Sequence, residues 1–197
     1  MKRVFILLVL SLHAFGFDAF GHKPIMDNLT ALRDRCIPDA PILTLAAIVQ
    51  TESAGKPYAI QVDFPNALLR RWHLRPGVLR LTRQPKDSAE ALAWMQYLSS
   101  FDIFTDIGLM QVSTADAQRR KIEPLTLFDP CTNLRIGWQI LQDGYALEVQ
   151  HYGPGQTALE HALSRYNTGT SNGGIANGYY VRIQRALAGL SRQKEQR

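Results

Sequence analysis

The chain has 197 residues, of which 46% are hydrophobic, and its formal net charge is +5. This length is typical of a single domain, and the apolar fraction is that of a globular protein with a full core. The positive charge is small and dispersed, which argues against a nucleic-acid-binding protein and favours at most a weak attraction to an anionic polymer.

The first residues have the pattern of a secretory signal peptide. A basic pair at positions 2 and 3 precedes an apolar run at 4–12, and small residues follow at Ala14, Gly16 and Ala19. The run is too short to span a bilayer as a helix, and no later segment is long and apolar enough. We therefore predict a leader at 1–19, cleaved after Gly16 or Ala19, and a periplasmic mature protein without a transmembrane segment. A retained N-terminal anchor is the alternative.

Two cysteines, Cys36 and Cys131, remain after the leader. An even count in an exported protein indicates a disulfide, and two cysteines allow only one pairing. The bridge would close a loop of about 95 residues, for which chain entropy predicts a stabilisation of roughly 4–5 kcal/mol. Two free, buried thiols are the alternative.

An apolar helix that begins near Pro41 ends in an acid. Ile42, Leu45 and Val49 recur at the spacing of one helix face, and Glu52 extends that stripe before Gly55 ends the helix. A carboxyl group at the end of an apolar stripe is partly desolvated, which raises its pKa and suits it to general-acid catalysis. An ordinary acid at a helix end would have the same local pattern.

The remaining elements predict a mainly α domain over residues 20–190, with a small two-stranded β insert. Alternating residues at 60–64 and 78–82 predict the two strands, and a helical turn is expected at 67–72 between them. Helix-start signals occur at Asp87 and at Asp129-Pro130. The other expected elements are helices near 26–35, 114–123, 159–166 and 178–190, an extended or irregular segment at 101–106, a flexible loop at 167–174 and a disordered tail at 191–197.

Common cofactor and nucleophile motifs are absent from the sequence. It contains no dinucleotide-binding or phosphate-binding glycine loop, no nucleophile elbow and no zinc-protease helix motif. The five histidines are scattered without the spacing of metal ligands. We therefore predict neither a cofactor nor a metal.

Polar segments, three of which contain glycine, instead recur between the predicted helices. They are Glu52-Ser53, the segment 106–113 with Gly108 and Gln111, the segment 164–169, and the segment 177–181. Amides hydrogen-bond the hydroxyl and acetamido groups of sugars, and aromatic rings pack on the apolar face of a pyranose. Taken singly, each segment is better explained by a helix cap beside a core aromatic residue.

In this order, the segments resemble the soluble lytic transglycosylase (SLT) domain, which is related to goose-type lysozymes. The similarity covers about residues 36–190 and rests on Glu52-Ser53, Gly108-Leu-Met-Gln111, Arg165-Tyr-Asn-Thr-Gly169 and Tyr180-Val181. The sequence is most similar to the subgroup found with conjugative type IV secretion systems, with which it shares Cys36, Arg83-Gln-Pro85 and the segment 128–134. Ala176 departs from the pattern, because many relatives have an acid there.

The resemblance implies a lysozyme-like fold and an enzyme that cleaves the β-1,4 bond between N-acetylmuramic acid and N-acetylglucosamine, leaving a 1,6-anhydro ring. Glu52 would be the sole catalytic acid and base, with Asp106 the only plausible partner. The implied substrate-binding residues are Ser53, Gly108, Met110, Gln111, Tyr166, Asn167 and Tyr180. The implied partners are peptidoglycan glycan strands and components of a type IV secretion system. A hydrolytic lysozyme and a non-catalytic peptidoglycan-binding protein are the alternatives.

Overall fold

The computed structural model describes residues 22–63, 79–81, 83–101 and 103–195. The predicted leader at 1–19 and the helical turn predicted at 67–72 lie outside the described residues. Within the described ranges, no helix is long and apolar enough to cross a bilayer.

Helices form most of the described chain, which confirms the mainly α class. They are α1 (His22–Cys36), α2 (Ile42–Ser53), α3 (Ser88–Ser99), α4 (Thr114–Arg119), a 3-10 helix (Pro124–Phe128), α5 (Pro130–Tyr152), α6 (Gln156–Thr168), α7 (Gly173–Ala176) and α8 (Tyr179–Glu195).

Two of these helices begin at the predicted side-chain caps. A carboxylate oxygen of Asp87 accepts a hydrogen bond from the backbone N–H of Glu90 at 2.9 Å. Asp129 accepts one from the N–H of Thr132 at 2.8 Å, and Pro130 occupies the first position of α5. Both caps satisfy N–H groups that have no partner within the helix.

The β insert has four strands in the order β2-β1-β3-β4, all antiparallel. The strands are β1 (Ile60–Asp63), β2 (Leu79–Arg80), β3 (Phe104–Ile107) and β4 (Val112–Ser113). The predicted pairing of the first two is confirmed, and the expectation of only two strands is corrected. The end of the segment expected to be extended or irregular forms β3, in which Phe104–Ile107 pair with β1. The turn that follows β3 adds β4.

Three segments are more regular than the sequence suggests. Helix α1 is longer than expected, and α8 continues beyond Leu190 to Glu195. No glycine or proline follows Gly189, and the residues after it include good helix formers. The segment 167–174, predicted as a flexible loop, contains the end of α6 and the start of α7. There the Ser164 hydroxyl accepts a hydrogen bond from the N–H of Gly174 at 2.8 Å.

Helix α2 lies in the core and positions the acid that ends its apolar stripe. The side chains of Leu45, Ile48 and Val49 are fully buried, and α2 packs against α8. The predicted disulfide between Cys36 and Cys131 is present and joins the end of α1 to the start of α5. The bond excludes the alternative of two free thiols.

Candidate active site

Glu52 occupies the last turn of α2 and is half-buried. The hydroxyl of Tyr179, the first residue of α8, donates a 2.5 Å hydrogen bond to Oε1 of Glu52. Tyr179 is only 1% exposed. Burial raises the pKa of Tyr179 well above its ordinary value, and the neighbouring charge of Glu52 raises it further. The phenol therefore remains a donor to the carboxylate at neutral pH.

Two asparagines connect this pair to the end of α6. The amide of Asn177 donates to the side-chain oxygen of Asn167 at 2.8 Å. The Asn177 side-chain oxygen accepts from the backbone N–H of Tyr179 at 2.9 Å. The third and fourth sequence motifs thus meet Glu52 through one chain of hydrogen bonds.

The turn between β3 and β4 brings the second motif to the same place. Gly108 has a φ of +80°, and a Cβ atom there would lie 2.3 Å from Nδ2 of Asn133. Asn133 is buried; it accepts from the N–H of Met110 at 2.8 Å and donates to the carbonyls of Ile107 and Leu127. Gly108 therefore allows a buried amide to hold the turn, which is a structural role.

Two of the predicted substrate-binding side chains are buried beside the turn. The Ser53 hydroxyl is 2.8 Å from the carbonyl of Leu109 and accepts from the N–H of Gly55 at 3.2 Å. Met110 is fully buried, and its carbonyl accepts a 2.6 Å hydrogen bond from the hydroxyl of Tyr166. These contacts join α2, the turn and α6, so both residues hold the site together through contacts within the protein.

Gln111 and Tyr166 face the candidate cleft. The amide of Gln111 donates to the carbonyls of Ala59 and Gly108 at 3.2 and 2.9 Å. Burial raises the pKa of Tyr166 well above its ordinary value, and the negative charges of Glu52 and two aspartates raise it further. Tyr166 is therefore a neutral ring with a fixed hydroxyl.

Tyr180 does not lie with these residues. It is 9% exposed, and its hydroxyl accepts a 3.0 Å hydrogen bond from the amide of Gln156 at the start of α6. Successive residues on a helix point about 100° apart, so only one of two adjacent tyrosines can face α2. Tyr179 makes the contact with Glu52, whereas Tyr180, which the resemblance implies binds substrate, lies against the start of α6.

Glu52 adjoins two clefts that share Glu52, Gln61 and Gln111 in their linings. The larger has a volume of about 450 Å³ and is also lined by Tyr166 and Asn167. The smaller, of about 120 Å³, is also lined by Ser53. A separate cavity of about 390 Å³, between α3 and the 3-10 helix, shares no lining residue with either cleft. Glu52 therefore lies where an extended ligand could occupy a cleft on each side of the carboxyl group.

Further carboxylates line the larger cleft. Asp106 is half-buried, and its Oδ2 lies 3.4 Å from the amide nitrogen of Gln61 on the neighbouring strand. Asp116 lines the cleft as well and forms an ion pair with Arg119 at 2.5 Å. Asp106, the only plausible partner that the sequence offers for Glu52, thus lines the same cleft as Glu52. In the described ranges, no group of three or more His, Cys, Asp or Glu residues could hold a metal ion.

Sequence reasoning missed three residues that shape this site: Tyr179, Asn177 and Asn133. The first two stand inside the fourth motif, so their nearness to Tyr180 was the available signal. Asn133 is a polar residue next to Leu134 on the buried face of α5, as expected for a residue that bonds to backbone groups.

Comparison with known proteins identifies the family. The sequence model described as "Transglycosylase SLT domain" matches residues 36–181. The "Type IV secretion system protein virB1" of Brucella suis biovar 1 (strain 1330) is 35% identical over 147 residues, which are 73% of this chain and 55% of that protein. "Protein virB1" of Agrobacterium fabrum (strain C58 / ATCC 33970) is 28% identical over 155 residues, which are 79% of this chain and 57% of that protein.

The chain thus spans little more than half the length of these relatives. No solved structure matches it significantly. The family match covers most of the chain, from Cys36 at the disulfide to Val181 just after the Tyr179–Tyr180 pair, and it includes Glu52. The chain therefore belongs to the transglycosylase SLT domain family.

Proposed function

We propose that this chain is a peptidoglycan lytic transglycosylase that cleaves the β-1,4 bond between N-acetylmuramic acid and N-acetylglucosamine. The observation that carries the proposal is the position of Glu52, half-buried between two clefts and held by Tyr179. A carboxyl group fixed beside a cleft of this kind is suited to transfer a proton to a glycosidic oxygen and to take one back.

In this mechanism, Glu52 protonates the leaving oxygen and then removes the proton from the C6 hydroxyl of the muramoyl sugar. That hydroxyl attacks the anomeric carbon, so the ring closes to a 1,6-anhydro product and no water is added overall. The acetamido group of the substrate assists at the anomeric carbon. Tyr179 keeps the carboxyl group oriented through both proton transfers.

The cleft offers groups that suit a sugar chain. Tyr166 provides an aromatic ring, and Gln111 and Asn167 provide amides, all lining the larger cleft. Rings pack on pyranose faces, and amides bond to acetamido and hydroxyl groups. We assign these three residues to substrate binding and assign Ser53, Gly108 and Met110 to the framework beneath them.

The variant Glu52→Gln tests the assignment of the acid. It keeps the shape of the side chain but cannot transfer a proton, so clearing of purified sacculi should be abolished while the melting curve stays cooperative. Glu160→Gln is a matched control on α6, because Glu160 lines neither cleft. Activity retained in folded Glu52→Gln would refute the assignment.

Hydrolysis is the second candidate function, and Asp106 is the observation that favours it. A second carboxylate in the cavity of the acid could activate a water molecule, as in inverting glycosidases. Mass spectrometry of the products separates the two reactions: anhydro-muropeptides support transglycosylation, whereas products with a reducing muramic acid end indicate a lysozyme. In the second case, Asp106→Asn should abolish activity.

We further propose that the chain is exported and opens the cell wall for a type IV secretion or conjugation apparatus. The names of the relatives and the leader-like N-terminus support this role. The test is a deletion strain, in which the wild-type chain should restore substrate transfer and Glu52→Gln should not. Equal restoration by both would argue against a catalytic role in transfer.

A further inference from the structure

Glu148 is a buried acid near the C-terminal end of α5 that takes no part in the proposed proton transfers. It is 1% exposed. Its Oε1 lies 2.8 Å from Nε and 2.6 Å from Nη2 of Arg165, and its Oε2 accepts from the hydroxyl of Ser171 at 2.9 Å. Burying a carboxylate costs free energy unless it is paired, and here both oxygens have partners.

The two partners of Glu148 stand at either side of a segment that lines the larger cleft. That segment, residues 166–169, is called the cleft wall below, and each of its residues lines the cleft. Arg165 precedes the wall and also donates to the carbonyl of Gly169 at 3.2 Å. Ser171 follows the wall, and its carbonyl lies 2.9 Å from Nδ1 of His161. One buried carboxylate therefore ties down both ends of the wall.

The part of the wall nearer Glu52 is held by weaker hydrogen bonds between neutral groups. The Tyr166 hydroxyl bonds to the carbonyl of Met110, and Asn167 accepts from Asn177. Hydrogen bonds to a charged group are roughly twice as strong as neutral ones. The contacts at Glu148 are thus charge-assisted, and they hold the two residues that flank the wall.

We propose that Glu148 is a positioning residue for glycan binding, acting through Arg165 and Ser171 on the cleft wall. The proposal rests on the proposed function of the cleft. Without the carboxylate, Arg165 has no buried partner and turns to solvent, and the wall shifts away from the sugar. Glu52 and Tyr179 lie on α2 and α8, so their mutual contact is left in place. The loss should appear in substrate binding more than in turnover.

The test compares Glu148→Gln and Ser171→Ala with the control Asp143→Asn. Asp143 is on the same helix and pairs with Arg120 at 2.6 Å, but it lines neither cleft. Rates on purified sacculi give the apparent KM and kcat, and calorimetry with tri-N-acetylchitotriose, in the Glu52→Gln background, gives Kd. For Glu148→Gln we expect KM and Kd to rise about tenfold, the worth of one charge-assisted hydrogen bond, with kcat changed less than about threefold. Ser171→Ala should shift them in the same direction but less, and Asp143→Asn should not.

Two results would overturn the proposal. One is a folded Glu148→Gln with unchanged KM and Kd. The other is a Glu148→Gln that fails to fold together with a Ser171→Ala that binds like wild type, which would make the network a stability element only. If the wild-type protein does not cleave sacculi, the proposed function fails. Weakened chitotriose binding by Glu148→Gln would still support the role of the wall.

Discussion

The hydroxyl of Tyr179 donates a 2.5 Å hydrogen bond to Oε1 of Glu52, across a sequence separation of 127 residues. The guanidinium of Arg182 lies 5.5 Å from the centroid of the same ring. The raised pKa of Tyr179 keeps its proton on the phenol, so the carboxylate form of Glu52 always has a donor. The proposed acid thus depends on the residue that begins α8.

Tyr179→Phe removes this donor and keeps the ring. We expect kcat to fall by about 10- to 100-fold, as for a lost hydrogen bond to a charged group. The carboxylate form of Glu52 loses a favourable contact, so the loss of activity on the alkaline side of the pH–rate profile should move to higher pH. Profiles of kcat on purified sacculi measure both effects.

Tyr180→Phe is the matched control, since it removes only a hydroxyl that accepts from Gln156. Its pH–rate profile should coincide with that of the wild type. A larger loss in Tyr180→Phe than in Tyr179→Phe would contradict this role of Tyr179 and favour the substrate-binding role that the resemblance implies for Tyr180.

These two tyrosines mark the limit of sequence reasoning. The order of motifs identified the family, and cap signals at Asp87 and Asp129 located helix starts, because both kinds of signal are local. Which tyrosine faces Glu52 depends on the rotation of α8 against α2, and residues far apart in the chain determine that packing. For a related reason, the sequence predicts β3 only as an extended or irregular segment, because the strand forms by pairing with the distant β1.

Buried polar residues were equally hard to predict. Glu148 and Asn133 lie on a helix whose exposed face also carries polar residues, and sequence does not separate the two settings. Their partners come from other elements: Arg165 on α6 for Glu148, and the turn after β3 for Asn133. Only the three-dimensional arrangement identifies them as parts of the site's framework.

Gly108→Ala should destabilise the protein without touching the substrate. The new Cβ would lie 2.3 Å from the Asn133 amide and 2.8 Å from the Leu127 carbonyl, and the φ of +80° is unfavourable for alanine. We expect the free energy of unfolding to drop by roughly 2–4 kcal/mol, measured by urea denaturation. Gly189→Ala is the control, because it has open space inside α8 and should stabilise by about 0.5–1 kcal/mol. Equal unfolding midpoints for wild type and Gly108→Ala would show that the turn is not constrained as described.

Reduction of the disulfide between Cys36 and Cys131 should lower the free energy of unfolding by about 4–5 kcal/mol, because the reduced chain gains loop entropy. The bond joins α1 to α5 over a sequence separation of 95, and neither cysteine lines a cleft at Glu52. Thermal melting with and without dithiothreitol measures the effect, and activity at low temperature should persist. In the double variant Cys36→Ser/Cys131→Ser, the reductant should have no effect. Identical melting of oxidised and reduced wild type would contradict the prediction.

The Glu148 network should make stability depend on pH in the acid range. Burial alone would raise the pKa of Glu148, but hydrogen bonds from Arg165 and Ser171 and the nearby positive charges outweigh it, so the folded pKa lies below the ordinary 4.5. A lowered folded pKa means that this stabilisation is complete above the unfolded pKa and is lost as pH falls through 4.5 towards the folded value. Glu148→Gln cannot titrate at this position, so the free energy of unfolding of the variant should fall less steeply with falling pH than that of wild type.

Urea denaturation of both proteins between about pH 7 and about pH 3 measures the difference, and the contributions of carboxylates common to both proteins cancel in it. Parallel curves over this range would mean that Glu148 keeps the same pKa on unfolding and that its contacts with Arg165 and Ser171 do not stabilise the charged form.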